Sequence, residues 1–433
     1  MSLLTSLYTG ASGLDASSEE LSVIGDNISN ANTVGFKSSR ADFSDALAQN
    51  LIGNTPSGAG QIGLGTNLEV VQKILTEGSL STTGNATDLA IQGQGFFQVK
   101  GSASGVDGSY YTRDGQFTLD NSGYLVNQAG LRVQGYTANA VGVVTPTAVG
   151  DLQVGEASSA PLATTTLTVN ANLQSDAAVP ALPFAPLNAS ATSNFSTSTT
   201  VYDSLGASHQ VDIYFSKTAA GAWNYNALTD GGGLTAGVAG TPTQIASGTM
   251  TFNTQGALTA QTTVSAFNPL GSVDPQALTF NFGTSIAAGG TGLNGITQFA
   301  APSATSFLNQ DGYASGQLTG VSVDSTGDVT GAFTNGQSRV LGQVAVANFK
   351  ASDQLSRIGG NLFASTPGAG PATVGQPGTA DRGAIVAGAL EQSNVDLSDE
   401  FVRMIAAQRD FQANAKTLTT SDQLLQTLIS VKQ

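Results

Sequence analysis

Apolar residues recur at alternating steps of four and three along the last stretch of the chain, residues 396–433. They fall at Leu397, Phe401, Met404, Phe411, Ala415, Leu418, Leu425 and Ile429, with Gln408 and Asp422 as the two polar steps. Held over about four to five heptads, this spacing predicts one long helix packed lengthwise against another. Asp396 is placed to cap its start, and Asp399 and Glu400 fall in the first turn, where the helix dipole favours negative charge. The adjacent sequence offers no partner helix. The opening residues do: Leu4, Leu7, Ala11, Leu14, Ser18, Leu21, Gly25 and Ile28 keep the same spacing. Gly10, Gly13 and Gly25 each weaken that helix by about 1 kcal/mol relative to Ala, so it is marginal alone. Periodicity leaves two arrangements open: a terminal coiled-coil pair, or two amphipathic helices lying separately on a globular core.

Between the termini the period changes to two. Residues 89–99 read as a strand pair broken at Gly93 and Gly95. Residues 112–118, a turn over 120–123 and residues 124–126 read as strand, turn, strand, and 321–329 repeats that grammar around Asp324 and Gly327. From Gly142 to about Ser306 the composition shifts to Thr, Ala, Ser and Gly, with short alternations at 164–169, 199–202, 210–215, 223–225, 249–252 and 278–282. Such a series predicts a sandwich or barrel-like domain, with the proline-rich stretch 180–186 as a surface loop. The expected fold class is mainly β and multi-domain, with a terminal α-helical coiled-coil pair and nested β domains. The expected boundaries are 1–32 with 388–433 for the helices, 33–75 with 364–387 for connecting segments, 76–145 with 307–363 for a first β domain, and 146–306 for an inserted outer one.

Composition narrows the function. The chain has 433 residues, only 10% of them charged, and a net charge of −15, which a nucleic-acid backbone would repel. No run of about twenty apolar residues is present to cross a membrane, and the N-terminus lacks the pattern of a cleaved secretory signal. Cysteine is absent, which removes disulfides and thiolate metal sites, and His209 is the single histidine. Gly93-Gln-Gly95 is followed by Gln98 where a dinucleotide fingerprint needs its third glycine. The Asp-x-x-Gly turns carry too few spaced oxygens for a calcium loop. Glu19/Glu20 and Asp399/Glu400 are adjacent, so each pair diverges on its helix instead of converging on a substrate. We expect no catalytic residue, no cofactor and no metal.

The first helix ends in "GDNISNANTVGFKSSRADF", residues 25–43, whose Asn27, Asn30, Asn32, Gly35 and Phe36 stand in an order that a generic turn does not require. This stretch resembles the rod and hook family of bacterial flagella. So do "TGNATDLAIQGQGFFQV" from Thr83, "YTRDGQFTLDNSGYLVNQAGLRVQGY" from Tyr111, "GQSRVLGQVAVANFKASDQLSRIGGNLF" from Gly336 and the closing helix from Gly388. "TSTTVYDSLGASHQVDIYF" from Thr197 resembles the outer domain of the hook branch in particular.

The resemblance implies a structural subunit that polymerises into a flexible curved tube, the universal joint passing torque from rod to filament around an export channel. It implies paired helices on the inside, the first β domain as a middle shell and the inserted domain as the outer surface. It implies as partners further copies of the chain, the distal rod protein, a hook cap protein and a hook–filament junction protein. Export would run unfolded through the flagellar type III export gate, giving an extracellular location at the hook. Phe43 and Leu47 resemble the short element through which such subunits engage that gate; a turn of helix packing both on one side explains the same spacing. Alternative readings are a distal rod protein of the same family, a β-rich surface adhesin, and a carbohydrate-active enzyme, which needs a convergent carboxylate pair.

Overall fold

Strands from the last quarter of the chain pair with strands from its first quarter, so both termini return to one unit. The computed structural model describes residues 3–46, 49–50, 61–103, 105–139, 142–155, 158–273 and 275–431, without the side chains of 3–4, 49–50, 61–62, 428–429 and 431. Leu47 therefore lies outside the described residues, as do the side chains of Leu4 and Ile429. The chain divides into two compact units: 1–157 with 319–332 and 338–433, and 158–318 with 333–337. No helix among the described residues is long and apolar enough to cross a membrane.

In the first unit, α1 (Leu3–Ser29) and α2 (Leu397–Val431) pack on each other. Asp396 caps α2, its Oδ1 accepting from the Ser398 amide at 2.8 Å, and Asp399 and Glu400 occupy the first turn. A two-stranded ribbon, Ser39–Asp45 against Thr66–Lys73, lies where a connecting segment was expected, with a register shift at Asp42/Phe43. Phe43 thus sits in a strand, and the turn of helix offered as the alternative explanation of its spacing does not form. The β part grows from the hairpin Phe96–Ala103 and Val106–Thr112, extended on one side by Arg132–Thr137 and Ser338–Val344 and on the other by Leu362–Ala364. Ala384–Ala387 pairs with Leu89–Gln92, and Ala389–Glu391 with Leu80–Thr82. Phe96, Tyr111, Phe349 and Phe363 meet edge to face in its core.

The two Asp-x-x-Gly turns explain their own acids. Asp120 Oδ1 accepts from the Ser122 and Tyr124 amides, and Asp324 Oδ1 from the Thr326 and Asp328 amides. Each carboxylate braces a hairpin turn, with Gly123 and Gly327 at positive φ.

The second unit is a sandwich. One layer is antiparallel, in the order Phe195–Tyr202, Ser208–Ala219, Ala222–Asp230, Pro242–Phe252, Leu258–Gln261. The other places Thr166–Asn172 between Thr279–Asn281, parallel to it, and Ala304–Gln310, antiparallel. That last pairing carries the unit beyond Ser306, where the composition shift ends. Period-two alternation puts Val211, Ile213 and Phe215 from the first layer against Leu167, Val169 and Phe280 from the second, in one core with Trp223 and Tyr225. His209 is structural: its ring lies 3.4 Å from Asp203 Oδ2 and packs edge-on against Phe267.

Candidate assembly site at the paired termini

The asparagine-rich segment after α1 locks the N-terminal helix onto the returning C-terminal strand. Asn27 is buried and bonds both ways to the backbone of Ser39: its Nδ2 donates to the carbonyl at 2.8 Å and its Oδ1 accepts from the amide at 2.9 Å. Asn30 closes back onto Asp26 and accepts from the Thr33 hydroxyl, while Asn32 is exposed. Gly35 has φ +69°, its amide donates to the Glu391 carbonyl, and a Cβ there would stand 2.6 Å from the Asp114 nitrogen. Only glycine satisfies both conditions. Phe36 is buried under the Arg357 guanidinium, 4.7 Å from its ring centre.

Lys37 then points inward to a carboxylate 354 residues away. Its Nζ donates to Glu391 Oε1 and to the Thr76 carbonyl. Glu391 Oε1 also accepts from the Gly78 amide, and Oε2 from Arg113 Nη1 at 3.1 Å. Arg113 further donates to the carbonyls of Ile91 and Gly93. All three side chains are buried. Burial pushes the Lys37 ammonium below the ordinary lysine range, against the opposing pull of Glu391. Asn394 completes the clasp, accepting from the Ser38 amide and donating to the Ile74 carbonyl.

Beyond the clasp the helices run antiparallel, with Gly10 and Gly13 of α1 against Asn414 and Leu418 of α2. The buried line of α1 is Gly10, Ser17, Ile24 and Asn27; that of α2 is Glu400, Ala407 and Ser421, with Asn414 half-buried. Apart from Ile24 these residues are small or polar, and Gly10 and Gly13 let the backbones approach closely. A Cβ at Gly13 would come within 2.6 Å of the Asn414 amide. The apolar seams fall beside this line. Leu7, Leu14, Leu21 and Ile28 are half-buried, as are Met404, Leu418 and Leu425. Leu397, Phe401 and Phe411 are exposed to 42%, 46% and 39%. Apolar periodicity passes over Gly10, Ser17, Asn414 and Ser421 because none of the four scores as hydrophobic.

The two arms also hold an electrostatic conflict. Burial raises the Glu20 carboxyl above the ordinary glutamate range, and Asp410 across the pair adds to it, against Arg403. Glu20 and Asp410 line an open pocket of about 280 Å³, with Gly13 of α1 and with Phe43 and Thr66 of the ribbon.

Comparison with known proteins follows the same segments. Residues 7–37 match the family described as flagella basal body rod protein, 90–172 the flagellar hook protein FlgE/F/G D1 domain, 170–313 the flagellar basal body protein FlaE D2 domain, and 386–431 the flagellar basal body rod FlgEFG protein C-terminal. Flagellar hook protein FlgE of Salmonella typhimurium is 34% identical over 434 residues, covering 99% of this chain and 100% of that protein. The chain belongs to the flagellar hook protein family. The hook protein of Treponema pallidum is 35% identical over 477 residues, with both chains fully covered. The solved hook protein FlgE2 of Helicobacter pylori aligns with 70% of this chain and 98% of its own, at 14% identity and a TM-score of 0.45. In this hook-family chain Lys37 falls within the match over 7–37, Glu391 and Asn394 within that over 386–431, and Arg113 within the D1 match.

Proposed function

We infer that the chain is the structural subunit of a bacterial flagellar hook, polymerising into the curved tube that carries torque from rod to filament. The observation that carries this reading, given the family, is the helix pair. Its internal contact uses small and polar residues, while Leu397, Phe401 and Phe411 remain exposed along α2. An apolar seam left open on a long helix is an interface waiting for a further copy. The flanking leucines of α1, Leu7, Leu14 and Leu21, serve as the complementary side, together with Ile28. Leu4, Leu418, Leu425 and Ile429 extend the two seams towards their ends.

A match to the D2 description over 170–313, on a complete second unit, supports the hook reading over a distal rod protein. The adhesin reading leaves matched terminal helices unexplained. No catalytic role is assigned. At the ends of the tube the subunit would meet the distal rod protein, the hook cap protein during growth and the hook–filament junction protein. Its location would be extracellular, reached through the flagellar type III export gate, with Phe43 and Leu47 as the export element. Phe43 is half-buried against the helix pair in the folded chain, so it is free for the gate only in the unfolded state.

The test of assembly is Phe411→Asp. The variant keeps its β units folded, reported by Trp223 fluorescence for the second unit and by far-ultraviolet circular dichroism for the whole chain, and fails to form tubes; tubes at wild-type yield would defeat the reading. Phe43→Ala tests the export element: secreted protein falls while the purified variant still polymerises. Unchanged secretion would reduce Phe43 to a packing residue.

A further inference from the structure

On the faces that the two helices turn away from each other the charges are segregated, although α2 carries Asp399, Asp410 and Asp422 on its other sides. Between Leu3 and Ser29, α1 carries Asp15, Glu19, Glu20 and Asp26 and no Lys or Arg. Asp15, Glu19 and Asp26 are spaced four and seven apart, which places them on one face of the helix, and all three are exposed. Two residues along an α-helix turn about 200°. Asp15 stands two before Ser17 on the line facing α2, and therefore on the far side of α1. The same holds for α2. Arg409 and Lys416 stand two after Ala407 and Asn414 of the contact line, seven apart from each other, exposed, on the side facing away from α1.

The acidic and basic stripes are back to back and cannot meet within one copy. Among the described residues no ion pair joins α1 to α2. Asp26 is taken by Arg357 at 3.2 Å, and Arg403 faces Glu400 at 3.8 Å. Among the described residues Asp15, Glu19, Arg409 and Lys416 have no ion pair. A solvated helix face ordinarily mixes both signs; here each helix turns one sign outward.

We propose that these stripes form a head-to-tail interface between copies, the Asp15–Glu19 face of α1 seating on the Arg409–Lys416 face of α2 in the next copy. This rests on the chain being a polymer subunit. The carboxylates are about 6 Å apart along their helix and the cations about 10 Å, a mismatch that the long Arg and Lys stems span. Because the stripes point in opposite directions, a two-fold dimer cannot satisfy both. Each added copy leaves one acidic and one basic face open, and the contact propagates into a ring or a helix. Exposed ion pairs are individually weak and screened by salt, so the stripes select register and partner while the apolar seams supply the holding energy.

The experiment uses the full-length chain and measures the critical concentration for polymer by sedimentation and negative-stain microscopy. Variants are Asp15→Lys/Glu19→Lys, Arg409→Glu/Lys416→Glu, and the two combined. Each double variant presents like charges on both faces, and its critical concentration rises about tenfold or more. The four-fold variant, with both signs exchanged, returns to within about twofold of the unaltered chain, as does an equimolar mixture of the two double variants, which can alternate. Wild-type assembly by both double variants would overturn the proposal. So would a four-fold variant and a mixture that both stay unassembled while far-ultraviolet circular dichroism shows intact helices. Failure of the unaltered chain to polymerise on a preformed hook fragment would instead overturn the subunit reading itself, and the interface with it.

Discussion

Glu391 is the residue on which both ends of the chain converge. Among the described residues it is the only carboxylate bonded to Lys37 and Arg113, and it sits at the close of the last strand before α2. Removing one partner of a buried ion pair leaves an uncompensated charge, at a cost of about 3–5 kcal/mol. Glu391→Gln keeps the shape and removes the charge, so the unfolding free energy of the terminal unit should fall by an amount in that range, read as a lower urea midpoint at unchanged slope. A midpoint within error of wild type would mean that water or another acid neutralises the two cations. Gly35→Ala should destabilise the same clasp through positive φ and the clash with Asp114. The sequence displays Asn27, Gly35 and Phe36 as a motif, but not the reason for them. Their partners are Ser39, Glu391 and Arg357, and two of these lie more than three hundred residues downstream, beyond the reach of local pattern. Asp120 and Asp324 were legible because a hairpin turn is a local event.

At the scale of the helices, the periodicity reveals two amphipathic elements but not the small residues that let them approach. Apolar spacing finds the leucine and phenylalanine seams. The intrachain contact instead runs through Gly10, Gly13, Ser17, Ala407, Asn414 and Ser421, whose merit is small size. Gly13→Val should therefore separate the helices even though valine is the better helix former, lowering helical ellipticity and melting temperature; a rise in both would show that the glycine is there for flexibility alone. Glu20 adds a pH dependence. Its folded carboxyl binds a proton more readily than the unfolded one, so pairing gains stability as pH falls through the raised value towards the ordinary value of about 4.3. Glu20→Gln should stabilise the pair at neutral pH and remove that gain, read as the difference between thermal melts at pH 7 and pH 5. An undiminished difference would show that Glu20 is not the source of the pH response.

For the molecule as a whole, the second unit carries its own acid sensitivity and its own reporter. Burial pushes Asp203 upward, but the amides of Ala207 and Leu205 and the His209 ring outweigh it and hold the carboxyl below the ordinary range. Burial is likewise outweighed at Asp311, by the Thr165 hydroxyl and the amides of Thr165 and Thr166. Folded pKa values below the unfolded ones contribute stability that is complete above the unfolded value of about 3.9 and is lost as pH falls through the folded values. Trp223, the chain's single tryptophan, is buried in that unit and reports it selectively. Asp311→Asn should lower the urea midpoint seen by Trp223 at pH 7 and narrow the gap between pH 7 and pH 3. An unchanged gap would assign the acid response elsewhere. The existence of this inserted β unit was legible from alternating strands such as 210–215. Its extent was not, because the pairing of Thr166–Asn172 with Ala304–Gln310 closes over more than a hundred intervening residues.

Polymerisation driven by the paired termini is the property from which the rest of the assembly follows. Negative-stain microscopy of the purified full-length chain, beside a chain trimmed to residues 33–395, which keeps Lys37, Arg113 and Glu391 together, tests this directly. The account predicts curved hollow tubes from the full-length chain, and monomers with native Trp223 fluorescence from the trimmed one. Tubes of equal yield from both would contradict it.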